Sequence, residues 1–166
     1  CALPISAGKR LCTEKEWLAA CAGVPPHDAD GDGVFSDDDP GGRRYGYEGD
    51  RKAGACADSR DPSAVGELLT GNHPLCGTPE GVYDLVGGVK EWVGLTPATA
   101  ATKGGSYSSG ESARCGYYRE DIAPDTKDLA TGFRCCTGEP DPPPPAVHPG
   151  RDVGETLAEF SLPVIG

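Results

Sequence analysis

Apolar residues along the chain occur in short clusters, and the clearest cluster predicts a helix. Thr13 and Glu16 have the spacing of a capping box, in which a hydroxyl and a carboxylate bond the free amides at a helix start. Three apolar residues then lie on one helical face: Trp17, Leu18 and Cys21. Gly23 and the Pro25-Pro26 pair end the element. The pattern predicts a helix of about two turns that depends on tertiary contacts for its stability.

Elsewhere the pattern predicts short extended pieces joined by loops. Residues 81–93 alternate weakly between apolar and polar positions around a Gly-Gly pair, which indicates a tight turn between two extended pieces. Further short strands are predicted around residues 104–107 and 132–136. Residues 27–61 lack apolar periodicity, so we expect a long loop there, anchored by two large side chains, Tyr45 and Tyr47.

The end of the chain has a different composition. Residues 138–150 are rich in proline, which predicts an extended linker rather than part of a packed core. Residues 151–166 form a C-terminal tail, within which residues 157–165 regain apolar character and are expected to add one strand. Residues 1–137 are therefore interpreted as the folded domain.

Composition and charge narrow the classes of partner. Gly and Pro contribute 25 and 16 of 166 residues and the net charge is −11, so a stable fold needs support beyond an apolar core. The negative charge argues against binding nucleic acid or an anionic membrane surface. No apolar run approaches the roughly 20 residues of a membrane span. Eight cysteines favour disulfides and an extracytoplasmic location, whether secreted, periplasmic or at the cell surface.

A metal site made of cysteine and histidine is the competing interpretation of the cysteines. The closely spaced cysteine pairs of a zinc ribbon are absent, and the three histidines are isolated in the sequence. We therefore expect the cysteines to form disulfides. The sequence pattern by itself leaves the connectivity open.

An acidic segment predicts a calcium site. It matches the template of a calcium loop, with carboxylates at positions 1, 3, 5 and 12, a glycine at position 6 and a backbone carbonyl donor at position 7. The predicted ligands are Asp28, Asp30, Asp32, Val34 and Asp39. Bound calcium would stiffen a loop whose charges otherwise repel one another. The competing interpretation is a solvated acidic insertion.

Five segments resemble, in the right order, motifs of the formylglycine-generating enzymes, also called sulfatase-modifying factors: residues 8–17 (GKRLCTEKEW), 45–50 (YGYEGD), 81–92 (GVYDLVGGVKEW), 103–107 (KGGSY) and 132–135 (GFRC). The resemblance covers residues 1–137. It implies a C-type-lectin-like fold of the sulfatase-modifying-factor type, an irregular, loop-rich α+β domain stapled by disulfides.

The chain departs from this family where the catalytic thiols are expected. The family's enzymes oxidise a substrate cysteine with a copper-binding cysteine pair a few residues after GGSY. Here the corresponding stretch, residues 108–114, is shorter than in the family and contains no cysteine. The next cysteine along the chain, Cys115, resembles a structural cysteine of the family. Because a Cu(I) site needs thiolates, the resemblance implies a member without the oxidase activity.

The resemblance has two further consequences. The family holds calcium near the turn that ends the third motif; there Gly88 replaces an asparagine ligand while Glu91 remains. The family's domain also begins well before the residue that matches Cys1. We therefore expect this chain to be the C-terminal part of a domain, with strand edges that another segment must cover.

The resemblance also implies a pairing of the cysteines. Carried over from the family, it gives Cys1–Cys135 and Cys21–Cys115. Cys12 occupies the position of a proline in the family's motif, and Cys136 is adjacent to Cys135, which suggests a bridge Cys12–Cys136. The remaining pair, Cys56–Cys76, is then the fourth bridge.

The leading hypothesis is an exported, non-catalytic binding or structural module that is stabilised by calcium and belongs to a larger assembly or a processed protein. Its expected partner is a protein chain: its own N-terminal part, another copy or a different subunit; a glycan is the alternative ligand. The alternative function is a formylglycine-generating oxidase or another metal-dependent enzyme of the same family.

Overall fold

A computed structural model of the chain describes residues 7–23, 42–60, 69–96, 99–119, 122–123 and 125–139. Its elements are β1 (Arg10–Leu11), α1 (Glu14–Ala22), β2 (Lys90–Thr96), β3 (Thr99–Lys103), a short 3-10 helix (Gly110–Ser112), β4 (Tyr118–Arg119), β5 (Thr131–Phe133) and β6 (Cys135–Cys136). Loops make up most of the described residues, so the predicted irregular, loop-rich α+β class is confirmed. The predicted calcium loop, Cys1 and the apolar tail lie outside the described residues.

The helix α1 is built by the local signals that predict it. The backbone amide of Glu16 donates to Thr13 Oγ1 at 3.2 Å, and the amide of Thr13 donates to Glu16 Oε2 at 2.8 Å, which completes the capping box. Arg10 donates two hydrogen bonds of 2.7 Å to the same carboxylate. These contacts lower the pKa of Glu16 to about 2. Gly23 ends the helix in the left-handed region, at φ 77°.

The strands form two small sheets. β1 and β6 make an antiparallel pair, and the second sheet has the order β4-β3-β2-β5. Within it β2 and β3 are antiparallel, whereas β5 runs parallel to β2, with Glu91 opposite Gly132. The single residue Arg134 separates β5 from β6. One continuous segment therefore contributes to both sheets.

A small core lies between α1, β2 and the loops. Its largest side chain is Trp17, which is 1% exposed and packs with Leu85, Val86 and Val93 among others. Three of the predicted disulfides are present and cross this region: Cys12–Cys136, Cys21–Cys115 and Cys56–Cys76. Because each closes a long loop, each stabilises the fold by roughly 2–4 kcal/mol, mainly through the unfolded chain.

The loop after α1 is held by its two aromatic anchors and one arginine. Tyr45 and Tyr47 are both buried and stack with ring centroids 5.7 Å apart. The Arg43 side chain donates to the carbonyls of Ala20 and Cys21, which are among the unpaired carbonyls at the end of α1. The predicted role of the two tyrosines is therefore confirmed for residues 42–60.

Two strand predictions are wrong. Residues 104–107 form a turn, because Gly104 and Gly105 both adopt positive φ, 84° and 68°. A Cβ at Gly104 would lie 2.2 Å from the carbonyl oxygen of Leu85, so this close approach requires glycine. Residues 82–86 make a single bridge through Tyr83 rather than a strand, and Asp84 has a positive φ of 58°. The Gly-Gly turn before β2 is confirmed, with φ of 73° and 61°.

No helix within the described part of the chain is long and apolar enough to cross a membrane.

Candidate functional site

The segment after β3 contains three serines in a tight turn; we call residues 106–109 the serine turn. The amide of Ser109 donates to the carbonyl of Ser106 at 2.9 Å, and the amide of Ser106 donates to Ser109 Oγ at 2.8 Å. Ser106 is 3% exposed, and its Oγ lies 3.0 Å from Ser108 Oγ and 3.3 Å from Ser109 Oγ. The hydroxyls thus hold the turn together by bonding one another and the backbone.

The cysteines near this turn are used structurally. Cys115 is bridged to Cys21 in the core. Among the described residues, Cys135 is the one cysteine outside a disulfide, and it belongs to β6 rather than to the serine turn. Its predicted partner Cys1 lies outside the described residues, so this bridge stays a prediction. The serine turn offers neutral oxygen donors, which suit neither Cu(I) nor thiol chemistry.

Glu91 connects three parts of the domain and is 7% exposed. Trp17 Nε1 donates to Glu91 Oε2 at 2.7 Å, joining α1 to β2. Arg134 donates to both carboxylate oxygens at 3.0 and 2.9 Å, and also to the carbonyl of Tyr83. Because both oxygens of Glu91 already accept hydrogen bonds from Trp17 and Arg134, this carboxylate is a poor candidate for the family's calcium ligand near Gly88.

A groove lies next to Glu91 and the end of β5. It has a volume of about 300 Å³ and is lined by both apolar and polar side chains. The residues that line it include Leu69, His73, Val89, Glu91, Phe133 and Cys135. Two apolar side chains in it face solvent, since Leu69 is 63% exposed and Phe133 is 49% exposed. The groove therefore combines two exposed apolar side chains with Glu91, whose carboxylate is hydrogen-bonded to Trp17 and Arg134.

Sequence reasoning did not identify this groove. Phe133 belongs to a recognised motif, but Leu69 and His73 stand in a loop without apolar periodicity, and no local signal marks them. The calcium ligands that the sequence predicts fall outside the described residues. Among the residues that are described, no three carboxylate, histidine or cysteine side chains come together as a metal-binding group.

Similarity to known proteins agrees with this architecture. One solved structure, Treponema denticola variable protein 1, matches with a TM-score of 0.52 at 18% identity. The match covers 76% of this chain and 46% of that one, so the chain spans less than half the length of its structural neighbour. A comparison with curated proteins found no match. The model of the sulfatase-modifying factor enzyme 1-like domain matches residues 5–138, and the chain therefore belongs to this family.

Proposed function

We propose that this domain is a non-catalytic binding or structural module. The observation that supports the proposal is the serine turn. In the stretch where the family's enzymes carry a copper-binding cysteine pair, residues 108–114 of this chain contain no cysteine, and the Ser109 hydroxyl accepts a hydrogen bond from the backbone amide of Ser106. Hydroxyl oxygens do not replace thiolates as ligands of a soft metal ion. A domain that retains the family's fold without these thiolates is suited to presenting a surface to a binding partner.

We also propose that the module is located outside the reducing cytoplasm. The three disulfides among the described residues support this location, because such bridges persist in oxidising compartments. The partner that we propose is a protein chain, either a preceding part of the same domain, a second copy or a different subunit, with a glycan as the alternative.

Calcium is the proposed cofactor. The ligands are the side chains of Asp28, Asp30, Asp32 and Asp39 and the carbonyl of Val34, whose types and spacing suit a hard cation. Its role is to neutralise and order the acidic loop, with no part in catalysis.

Copper binding tests the non-catalytic assignment. The oxidised chain is titrated anaerobically with Cu(I) against a chromophoric chelator, and oxygen uptake is then followed with a cysteine-containing peptide. We expect no retained copper and no peptide-dependent oxygen uptake. The control variant Cys1→Ser/Cys135→Ser removes both cysteines of the predicted bridge, so that neither can bind copper adventitiously. Stoichiometric copper that persists in this variant, together with oxygen uptake, would establish the alternative, an oxidase of the formylglycine-generating type.

A further inference from the structure

We propose that the surface around Tyr45 and Tyr47 binds an anionic polysaccharide. We call Arg44, Tyr45, Tyr47 and Lys52 the cationic stack, because a cation lies over each of the two stacked rings. The inference names a ligand class for the proposed binding module and therefore rests on that function. It is supported by the way the two cations are held, by the lack of carboxylate partners for them, and by the distribution of charge along the chain.

Stacking on the tyrosine rings holds the two cations in place. Tyr45 and Tyr47 are both buried, and their ring centroids lie 5.7 Å apart. The guanidinium carbon of Arg44 lies 5.9 Å from the ring centroid of Tyr45, and Lys52 Nζ lies 4.9 Å from that of Tyr47. The backbone amide of Lys52 also donates to Tyr47 Oη at 3.0 Å. Cation–π contacts of this kind position a charge without neutralising it.

Neither of these cations has a carboxylate partner in the described part of the chain. Arg44 and Lys52 are both exposed, and no ion pair between described residues involves either of them. Glu48 and Asp50 belong to the same loop and are exposed, but neither forms an ion pair with a described residue. An exposed guanidinium and an exposed ammonium without such partners are free to bind the oxyanions of a ligand.

The carboxylates closest to Tyr45 are engaged by other arginines. The guanidinium carbon of Arg60 also lies 5.9 Å from the ring centroid of Tyr45, and Arg60 forms an ion pair of 2.7 Å with the buried Asp58. Arg51 contacts the same carboxylate at 3.4 Å. Glu111 pairs with Arg60 at 3.3 Å through a side chain that is 86% exposed, so water screens this contact. These two carboxylates therefore do not neutralise the exposed cations of the cationic stack.

The charge of the chain is distributed unevenly. The described residues contain slightly more basic than acidic side chains, so the net charge of −11 arises from segments outside them. Among the described ranges, residues 42–60 contain the largest number of basic side chains. Exposed charges separated by more than about 8 Å are largely screened at physiological ionic strength. A surface that is locally positive can therefore bind a polyanion although the whole chain is acidic.

A charged polysaccharide suits this surface better than a folded acidic protein. The two cations lie over different rings, and neither of them lines the groove next to Glu91. A flexible polymer with repeated anionic groups can contact both cations without burying the large complementary area that a stable protein interface requires. The proposed location outside the cytoplasm favours a polysaccharide over a nucleic acid as the polyanion.

Calorimetric titration of the full oxidised chain at low ionic strength tests this proposal. The probe is a heparin-derived octasaccharide, and a neutral glucose octasaccharide is the blank. We expect Arg44→Gln/Lys52→Gln to lower the affinity for the charged probe by about tenfold. The matched control Lys9→Gln/Lys127→Gln removes the same charge from two exposed lysines outside residues 42–60 and should change the affinity by less than about twofold. All four changes are at exposed residues, and equal Tm values will show that the fold is retained.

A variant with the opposite effect and two competing polyanions complete the test. Glu48→Gln/Asp50→Asn removes the exposed negative charges of the loop and should raise the affinity. No binding by the parent chain, or an equal loss in the two double lysine and arginine variants, would overturn the proposal. Binding that is as tight to polyglutamate or to an oligonucleotide of equal charge would also overturn it, because the surface would then select charge and not a polysaccharide.

The chain's own acidic loop is the remaining occupant to test. If the parent chain fails to bind the octasaccharide but Asp37→Asn/Asp38→Asn/Asp39→Asn binds it, the loop covers the cationic stack and the proposal is wrong. We expect the parent chain to bind without this change. None of these outcomes alters the copper titration, so a failure of this proposal is distinguishable from a failure of the non-catalytic assignment.

Discussion

Replacing Glu91 with glutamine keeps the size of the side chain and removes the charge at a buried junction. The carboxylate of Glu91 accepts hydrogen bonds from Trp17 Nε1 and from two nitrogens of Arg134. A glutamine retains one acceptor oxygen and adds an NH₂ group that must face one of these N–H donors. The guanidinium of Arg134 also loses its counter-charge. We therefore expect E91Q to destabilise the domain without changing its core volume.

The size of the expected loss of stability depends on how exposed Glu91 and Arg134 are. A hydrogen bond to a charged group contributes about 1.5–3 kcal/mol, and breaking a fully buried ion pair costs about 3–5 kcal/mol. The side chain of Arg134 is 26% exposed, so water restores part of its solvation. We expect the free energy of unfolding to fall by about 3 kcal/mol. For a domain of this size that corresponds to a fall in Tm of roughly 10 °C.

Calorimetric unfolding of the oxidised protein measures this change. The control is E48Q, the same substitution at an exposed residue, which should stay within about 0.5 kcal/mol of the parent. The double variant E91Q/R134Q should lose less stability than the sum of the two single variants, since the residues are in direct contact. If E91Q is as stable as E48Q, the assignment of Glu91 as an organising residue is incorrect.

Two further predictions concern titration and calcium. The pKa of Glu16 is held at about 2, below its ordinary value of 4.5. The stability contributed by its contact with Arg10 is therefore complete above about pH 4.5 and is lost as the pH falls towards 2. Tm measured against pH should show this loss, and Glu16→Gln should flatten that part of the profile. Millimolar calcium should raise Tm by several degrees over the same protein in chelator, and Asp30→Asn should abolish the increase. A calcium response that survives Asp30→Asn would place the ion elsewhere.

The helix could be predicted because the capping box that begins it and the glycine that ends it are local signals. Thr13 and Glu16 cap each other within one turn, and the amide of Gly23 reaches back to Ala19. The strands are different, since β3 has a sequence of threonine and alanine without apolar alternation and acquires its conformation by pairing with β2 and β4. The chain turns at Gly104 because the approach to Leu85 leaves no room for a side chain, a constraint that appears only once the core is assembled.

The groove could not be predicted because its walls come from distant segments. Leu69 stands in an irregular loop, whereas Phe133 ends β5, and they share a cavity only after β5 pairs with β2. The motif around Glu91 could be recognised, but its partner Arg134 lies in a different motif. The pairing of cysteines came from the resemblance to a family, since spacing alone permits many connectivities.

The pairing of β1 with β6 has a consequence for biosynthesis. Arg10 lies opposite Cys136, and Cys12 is bridged to Cys136 across 124 positions, so the pair of β1 and β6 forms only after β6 has been synthesised. Such non-local closure makes folding slow and leaves the early cysteines without their native partners while the later ones are synthesised. A bridge formed between Cys12 and Cys21 during that interval would have to be exchanged before Cys12–Cys136 and Cys21–Cys115 could form. The yield of folded protein should therefore depend more on a disulfide isomerase than on the rate of oxidation.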